Sequence, residues 1–289
     1  MNYRPPEPAK SAETVPQGAY GLRLEGFSSP LLNPSSPHWP RATISQKIGR
    51  RDLEPVLILD ETARLSLEGG GRIDSTRSPL AATITFPRPL DHDELIHPFL
   101  TATALVFVHW LGHQPFHGGA LLIEGRAWAV LGAKEAGKST LLAAMALMST
   151  PVMADDLLVI REGHKAMAGS RTIDLRPDVV PYLRSLDGTR LVRQGTRQRL
   201  NLEPVPSEVP FAGWVLLKWG PTTRLRRLPL KEKMKRIFQE RSLLGVELAR
   251  PEAALDLVSL PAYELERERS WETMSDVHTL LRDSLGSTA

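Results

Sequence analysis

Nine consecutive residues constrain this chain more than any other feature. Gly132, Ala133, Lys134, Glu135, Ala136, Gly137, Lys138, Ser139 and Thr140 fit the pattern of a glycine, four residues, then Gly-Lys-Ser/Thr. Such a loop cradles phosphate with its backbone N–H groups. The apolar run from Trp128 to Leu131 before it reads as a buried strand, and residues 141–148 after it read as a helix. Glycines at 132 and 137 let the backbone curl so that its N–H groups and the helix N-terminus face an anion. Lys138 then reaches the outer phosphates and Ser139 holds Mg2+. The pattern arises by chance in roughly one chain of this length in a hundred, and a strand and a helix on its two sides make accident rarer still.

The 289 residues are enough for one large domain or two modest ones. Basic residues exceed acidic ones by only three, so an isoelectric point of about 9.2 sits on a nearly balanced chain. Bulk charge is weak support for a polyanionic partner. The absence of cysteine excludes disulfides, thiolate metal sites and cysteine nucleophiles. Residues 1–18 carry no apolar segment behind their basic residues and read as a disordered tail, neither signal nor anchor. The longest apolar run, residues 99–111, is too short to span a bilayer. These features lead us to expect a cytoplasmic protein, with no membrane or nucleic-acid partner.

Short apolar runs broken by Pro, Gly and Ser fill residues 19–95, and their period-two alternation predicts a small β-rich accessory unit. Asp91 opens a helix expected to run to Gly112, with an acidic first turn suited to its dipole. Phe116, His117, Gly118 and Gly119 then begin a strand and hairpin that lead into the strand before the glycine loop. After the loop's helix, an apolar strand over residues 151–160 is interrupted by Asp155 and Asp156. A carboxylate on a strand near such a loop commonly holds Mg2+ or its water, and a second can take a proton from an attacking hydroxyl. Neighbouring side chains on a strand face opposite ways, so the two aspartates share a role only if the strand ends or bulges there. Arginines at 184, 190, 193, 197 and 199 form a basic block without the interleaved aromatics of a single-strand binder. It reads either as a solvated loop or as the source of a charge-stabilising arginine, Arg197 or Arg199. Further on, residues 211–219 read as a buried strand, residues 231–244 as an amphipathic helix with a solvated basic face, and residues 271–285 as a last helix.

His117-Gly118, the glycine loop and Ala154-Asp155-Asp156 together resemble the catalytic domain of HPr kinase/phosphorylase and the HPr-kinase-like serine kinases, over residues 96–289. The resemblance implies an α/β fold: a nucleotide-binding core with a mixed sheet, preceded here by the β-rich unit. It implies ATP and Mg2+, with Lys138 on phosphate, Ser139 and Asp156 on the metal, and Asp155 as the base. His117 would sit beside Asp155 and the γ-phosphate. Relatives often carry a basic residue in the region of Arg197 and Arg199, and the resemblance suggests homo-oligomers. Bifunctional members carry a glutamate where this chain reads Gly169 to Asp178; Asp174 is a poor match to it, which favours a dedicated kinase over phosphorolysis. Lys134 and Glu135 depart from the small residues usual in that loop, and are expected to point outward.

The leading expectation is therefore an ATP-dependent kinase acting on a hydroxyl, of Ser in a protein or peptide, with a small-molecule acceptor left open. Two alternatives stand beside it: a nucleotide-hydrolysing ATPase or switch, though neither an LSGGQ nor an NKxD sequence occurs, and a nucleotide-binding scaffold without catalysis. Phosphoenolpyruvate carboxykinases offer a fold analogy, but their metal and substrate residues are not evident here.

Overall fold

Alternating apolar residues between Leu22 and Phe86 build the first half of the fold. The computed structural model describes residues 15–49, 56–67, 69–182, 189–192, 195–242 and 251–287. Arg184, Arg193, Leu244 and most of the expected tail lie outside these residues. Eight strands come first: β1 (Gln17–Ala19), β2 (Leu22–Glu25), β3 (Asn33–Pro34), β4 (Arg41–Ile48), β5 (Leu57–Ile58), β6 (Thr62–Leu67), β7 (Gly71–Thr76) and β8 (Ala81–Phe86). They form one mixed sheet in the order β3-β1-β2-β4-β8-β7-β6-β5.

Asp91 then caps α1 (His92–Glu94) in a reciprocal box with Glu94. The single helix expected from here to Gly112 is interrupted. Pro98 has no N–H to continue the ladder; residues Leu95–Phe99 form a wide turn in which His97 leaves helical geometry (φ −156°, ψ 123°), and α2 (Leu100–Trp110) starts afresh. That break turns out to place a histidine.

The second half contains β9 (Gln114–His117), β10 (Gly119–Ile123), β11 (Arg126–Leu131), α3 (Lys138–Leu147), β12 (Val152–Ala154), β13 (Leu157–Arg161), β14 (Lys165–Met167), β15 (Thr172–Leu175), β16 (Thr189–Val192), β17 (Arg197–Asn201), β18 (Glu208–Trp219), β19 (Arg224–Arg227), α4 (Leu230–Gln239), α5 (Pro251–Ser259), β20 (Ala262–Arg267) and α6 (Met274–Gly286). A second mixed sheet runs β12-β10-β11-β18-β14-β13-β9, with β20 beside β18 and β19 beside β20. β15, β17 and β16 make a small antiparallel sheet. The molecule is thus mixed α/β, with two large mixed sheets.

β11, β18 and β20 run parallel through the middle of the second sheet. Their carboxyl ends, at Leu131, Trp219 and Arg267, come together at one edge, the side where open α/β sheets form their crevices. One face of this sheet packs on α3 and α6 through Trp128, Val130, Leu141, Val215, Leu265 and Val277. The other packs on α4 and α5 through Phe116, Leu158, Trp214, Ile237 and Leu257. The N-terminal sheet and α2 share a third cluster with Leu157, Val159 and Met167 of the second sheet. Asn33 fastens them further, donating to the Gly169 carbonyl and accepting from the Val205 amide. Residues 19–95 and the rest of the chain therefore share a core.

The basic face of α4 is not simply solvated, as the sequence suggested. Lys233 is buried and donates to the carbonyls of Ser259 and Leu260 at the end of α5, and Arg236 pairs with the buried Glu264.

Candidate functional site

β11 ends at Leu131 and α3 begins at Lys138, so residues 132–137 form the loop between them. Gly137 is the N-cap, with φ +79° and no side chain to bond the first amides of α3. Those amides lack intrahelical partners, and the helix dipole adds positive potential at the same point. Glycine is required at 137 for room as well as backbone: a Cβ would stand 2.5 Å from Arg267 Nη2 and 2.9 Å from the Trp219 ring. Lys138 Nζ donates to the carbonyl of Gly132 at 2.5 Å, spanning the loop, and burial lowers its pKa against the opposing charges of Glu240, Asp155 and Asp156. Lys134 and Glu135 are exposed, Glu135 in an ion pair with Arg176 at 3.2 Å.

The apolar strand expected over residues 151–160 ends and restarts between Ala154 and Leu157, where Asp156 takes φ +68°. This break lets both carboxylates face one cavity of about 550 Å³, together with the glycine loop, His97 and His117. Gly119 brings them there: it pairs so closely with β12 that a Cβ would lie 2.4 Å from the Ala154 carbonyl oxygen and from Leu142. Pairing of His117 with Leu157 across β9 and β13 then sets His117 next to the aspartates.

The two aspartates have different neighbours. Asp155 Oδ1 accepts from Ser139 Oγ at 3.0 Å. Burial, with the Asp156 charge beside it, pushes the Asp155 carboxyl up to about 7. Asp156 lies between two histidines: His117 Nδ1 is 3.4 Å from Oδ1, and His97 Nε2 is 3.8 Å from Oδ2. His117 also reaches the Asp156 carbonyl at 3.2 Å. The sequence expectation set His117 beside Asp155; the contacts here run from His117 to Asp156, which takes a left-handed turn, while Asp155 bonds Ser139 at the start of α3.

The arginine expectation divides. Arg197 lines the cavity, its Nη1 bonded to the Thr196 carbonyl. Arg199 cannot close over a ligand. It lies in β17, fully buried, with Asp174 accepting from Nε at 2.6 Å and Nη2 at 2.9 Å, and Asp93 accepting from Nη1 at 3.2 Å. A buried guanidinium held by two carboxylates is fixed in place, and Asp174 is committed to it. Arg199 Nη2 also bonds the His97 carbonyl at 3.3 Å, so it holds the backbone that presents His97.

Two groups escaped the sequence reading. His97 was taken as part of a continuous helix, although Pro98 after it was a signal that the helix breaks. Arg267 stands at the end of β20 against the loop: Nη2 donates to the Gly137 carbonyl at 3.1 Å, and the guanidinium lies 4.1 Å from the Trp219 ring centroid. Its signal was the alternation Tyr263, Leu265, Arg267, which puts Arg267 on the α3 side of the sheet.

Ser139 and Asp155 offer a hydroxyl and a carboxylate oxygen side by side. Mg2+ is commonly held by one or two carboxylates with phosphate oxygens and waters completing its shell, and this donor pair fits that habit. Among the described residues, no group of three or more His, Asp or Glu side chains forms a closed metal cage.

No protein-family model matches the chain, and no curated protein matches it in sequence. Among solved structures it is similar to the HPr(Ser) kinase/phosphatase from Coxiella burnetii, at 13% identity and a TM-score of 0.33, over 61% of this chain and 98% of that one. A likeness of that size says nothing of the site's chemistry. Among the described residues no helix is long and apolar enough to cross a membrane.

Proposed function

We propose that the protein is an ATP-dependent kinase that transfers the γ-phosphoryl group to a hydroxyl, that of a serine in a protein or peptide. One observation carries the reading: a glycine loop and helix N-terminus share a cavity with two adjacent carboxylates, of which one is bonded to the loop's serine and the other is flanked by histidines.

The loop amides and Lys138 bind the phosphates. Ser139 and Asp155 would hold Mg2+, which would supply charge neutralisation at the phosphates. Asp156 accepts the proton of the acceptor hydroxyl as it attacks. His117 and His97 fix its orientation from either side, which preorganises the base before substrate arrives. The roles of the aspartates are thereby exchanged from those the family resemblance implied, because Ser139 selects Asp155. Arg197, on the cavity wall, stabilises charge on the transferring group.

A carboxylate placed like Asp156 takes a proton from an acceptor hydroxyl or from water alike, so the acceptor assay is what separates transfer from hydrolysis. The test uses γ-labelled ATP with Mg2+ and cell extract, comparing wild type with Asp156→Asn and Asp155→Asn. Asp156→Asn keeps MgATP binding and loses labelled acceptor by about 10²–10⁴-fold, whereas Asp155→Asn raises the Mg2+ concentration needed. Label released only as free phosphate, equally by wild type and Asp156→Asn, would move the ATPase reading ahead. Binding without turnover of any kind would favour the scaffold.

A further inference from the structure

Among the described residues two arginines are buried almost completely, Arg199 at 0% exposure and Arg267 at 1%. Arg199 is neutralised by Asp174 and Asp93. Arg267 has no such partner: among the described residues no carboxylate lies within ion-pair distance of it, and its Nε and Nη1 are buried without a hydrogen bond. Of the acids near it in sequence, Glu264 and Glu266 face the opposite side of β20, where Lys218, Arg224, Arg226 and Arg236 take them up, and Glu268 is exposed to solvent. Burial draws the Arg267 pKa down to about 10, which leaves it charged at neutral pH.

Withdrawing a cation from water without a counter-charge is costly, and the position of Arg267 shows what the charge is kept for. It borders the same cavity as Lys138, and its one bonded amino group reaches the carbonyl oxygens of Gly137, at 3.1 Å, and Ala136, at 3.5 Å. In a trans peptide the C=O and the N–H that follows it point opposite ways. Holding those two carbonyls toward Arg267 therefore turns the amides of Gly137 and Lys138 away from it, toward the cavity the loop lines. Trp219, paired in register with Arg267, closes the guanidinium's exposed face.

We infer that Arg267 is a positioning residue for polyphosphate: it orients the loop amides from behind, and a bound nucleoside di- or triphosphate supplies the counter-charge it otherwise lacks. This rests on the nucleotide-binding reading above and adds a specific cation to it. Nucleoside monophosphates, with less charge at the loop, gain little from Arg267.

The experiment measures melting temperature and calorimetric affinity for ADP, AMP and tripolyphosphate, each with Mg2+, in wild type, Arg267→Met and Arg267→Lys. Arg267→Met is expected to melt at or above the wild-type temperature without ligand, because an unpaired buried charge is removed. Its affinity for ADP and tripolyphosphate falls by about 10–100-fold, in the range of a charge-assisted hydrogen bond, while AMP changes little and Arg267→Lys recovers part of the loss. A purely structural arginine gives the reverse: a lower melting temperature with ADP affinity intact, and that result overturns the inference while the kinase reading stands. Loss of folding in both variants overturns it too, since an unpaired charge would not be what holds the free protein together. If wild type binds neither ADP nor tripolyphosphate, the nucleotide reading itself fails.

Discussion

Replacing Arg199 by methionine separates a structural arginine from a catalytic one. Arg199 makes five hydrogen bonds: two to the Asp174 carboxylate, one each to the side chain and carbonyl of Asp93, and one to the His97 carbonyl. Arg199→Met keeps most of the volume but leaves Asp174, whose side chain is only 2% exposed, without its cation. Breaking a buried ion pair from one side costs about 3–5 kcal/mol, and at about 2–4 °C per kcal/mol for large domains the melting midpoint drops by roughly 10 °C. Removing both partners, as Arg199→Met with Asp174→Leu, should recover most of that loss, because Asp93 is partly solvated and tolerates losing its share. Thermal melting followed by circular dichroism reads both. Arg197→Met is the control: its side chain lies on the cavity wall, so phosphoryl transfer falls while the midpoint stays put. The reasoning is refuted if Arg199→Met melts within a degree or two of wild type, or if the double variant is no more stable than the single one.

Gly137→Ala forces a Cβ to 2.5 Å from Arg267 Nη2 and to 2.9 Å from Trp219, at a φ of +79°. The left-handed backbone alone costs about 1–2 kcal/mol, so the variant should melt lower and lose the stabilisation that MgADP gives wild type; an unchanged ADP response would contradict the loop geometry. Acid stability tests a second contact. Glu94 accepts from both amino groups of Arg88 and from the Asp91 amide, and the arginine holds its carboxyl below the usual 4.5. A carboxyl whose pKa is lower folded than unfolded stabilises the fold above its unfolded pKa, and loses that contribution as pH falls through the folded one. Melting midpoints below about pH 4.5 should therefore fall less steeply in Glu94→Gln than in wild type, while at pH 7 the variant is the less stable; parallel slopes would show that the pair contributes nothing.

What the sequence made legible was local. Residues 128–131 and 141–148 announced a strand and a helix through composition alone, and the glycines between them dictated a loop that no other residue fits at 137. The alternation in residues 19–89 announced strands, but not their order, because pairing of β2 with β4 and of β4 with β8 in parallel depends on connections that carry no local pattern. Arg199 was misread for a related reason. A run of arginines looks solvated until Asp174 and Asp93, 25 and 106 residues away, are brought beside one of them. The different surroundings of Asp155 and Asp156 had the same origin. Adjacent carboxylates are equivalent on paper, and only a left-handed residue at 156, which an aspartate adopts more readily than most, separates them.

The N-terminal sheet also gains a reason to be there. Asp156 is approached by His97; His97 Nδ1 is 3.0 Å from Thr101 Oγ1, Thr101 is 3.2 Å from the Tyr20 hydroxyl, and Tyr20 is 3.4 Å from Ser170. Tyr20 is fully buried in the turn between β1 and β2, and its amide bonds the Ala168 carbonyl just beyond β14. A buried hydroxyl with no partner would cost about 1–3 kcal/mol, so each member of this series constrains the next. His97 is thus oriented from below by a residue of the N-terminal sheet and held at its carbonyl by Arg199. The β-rich unit thus helps set the angle at which a histidine meets the carboxylate. Without the Tyr20 hydroxyl, His97 keeps its bond to Thr101 but Thr101 loses the partner that anchors it.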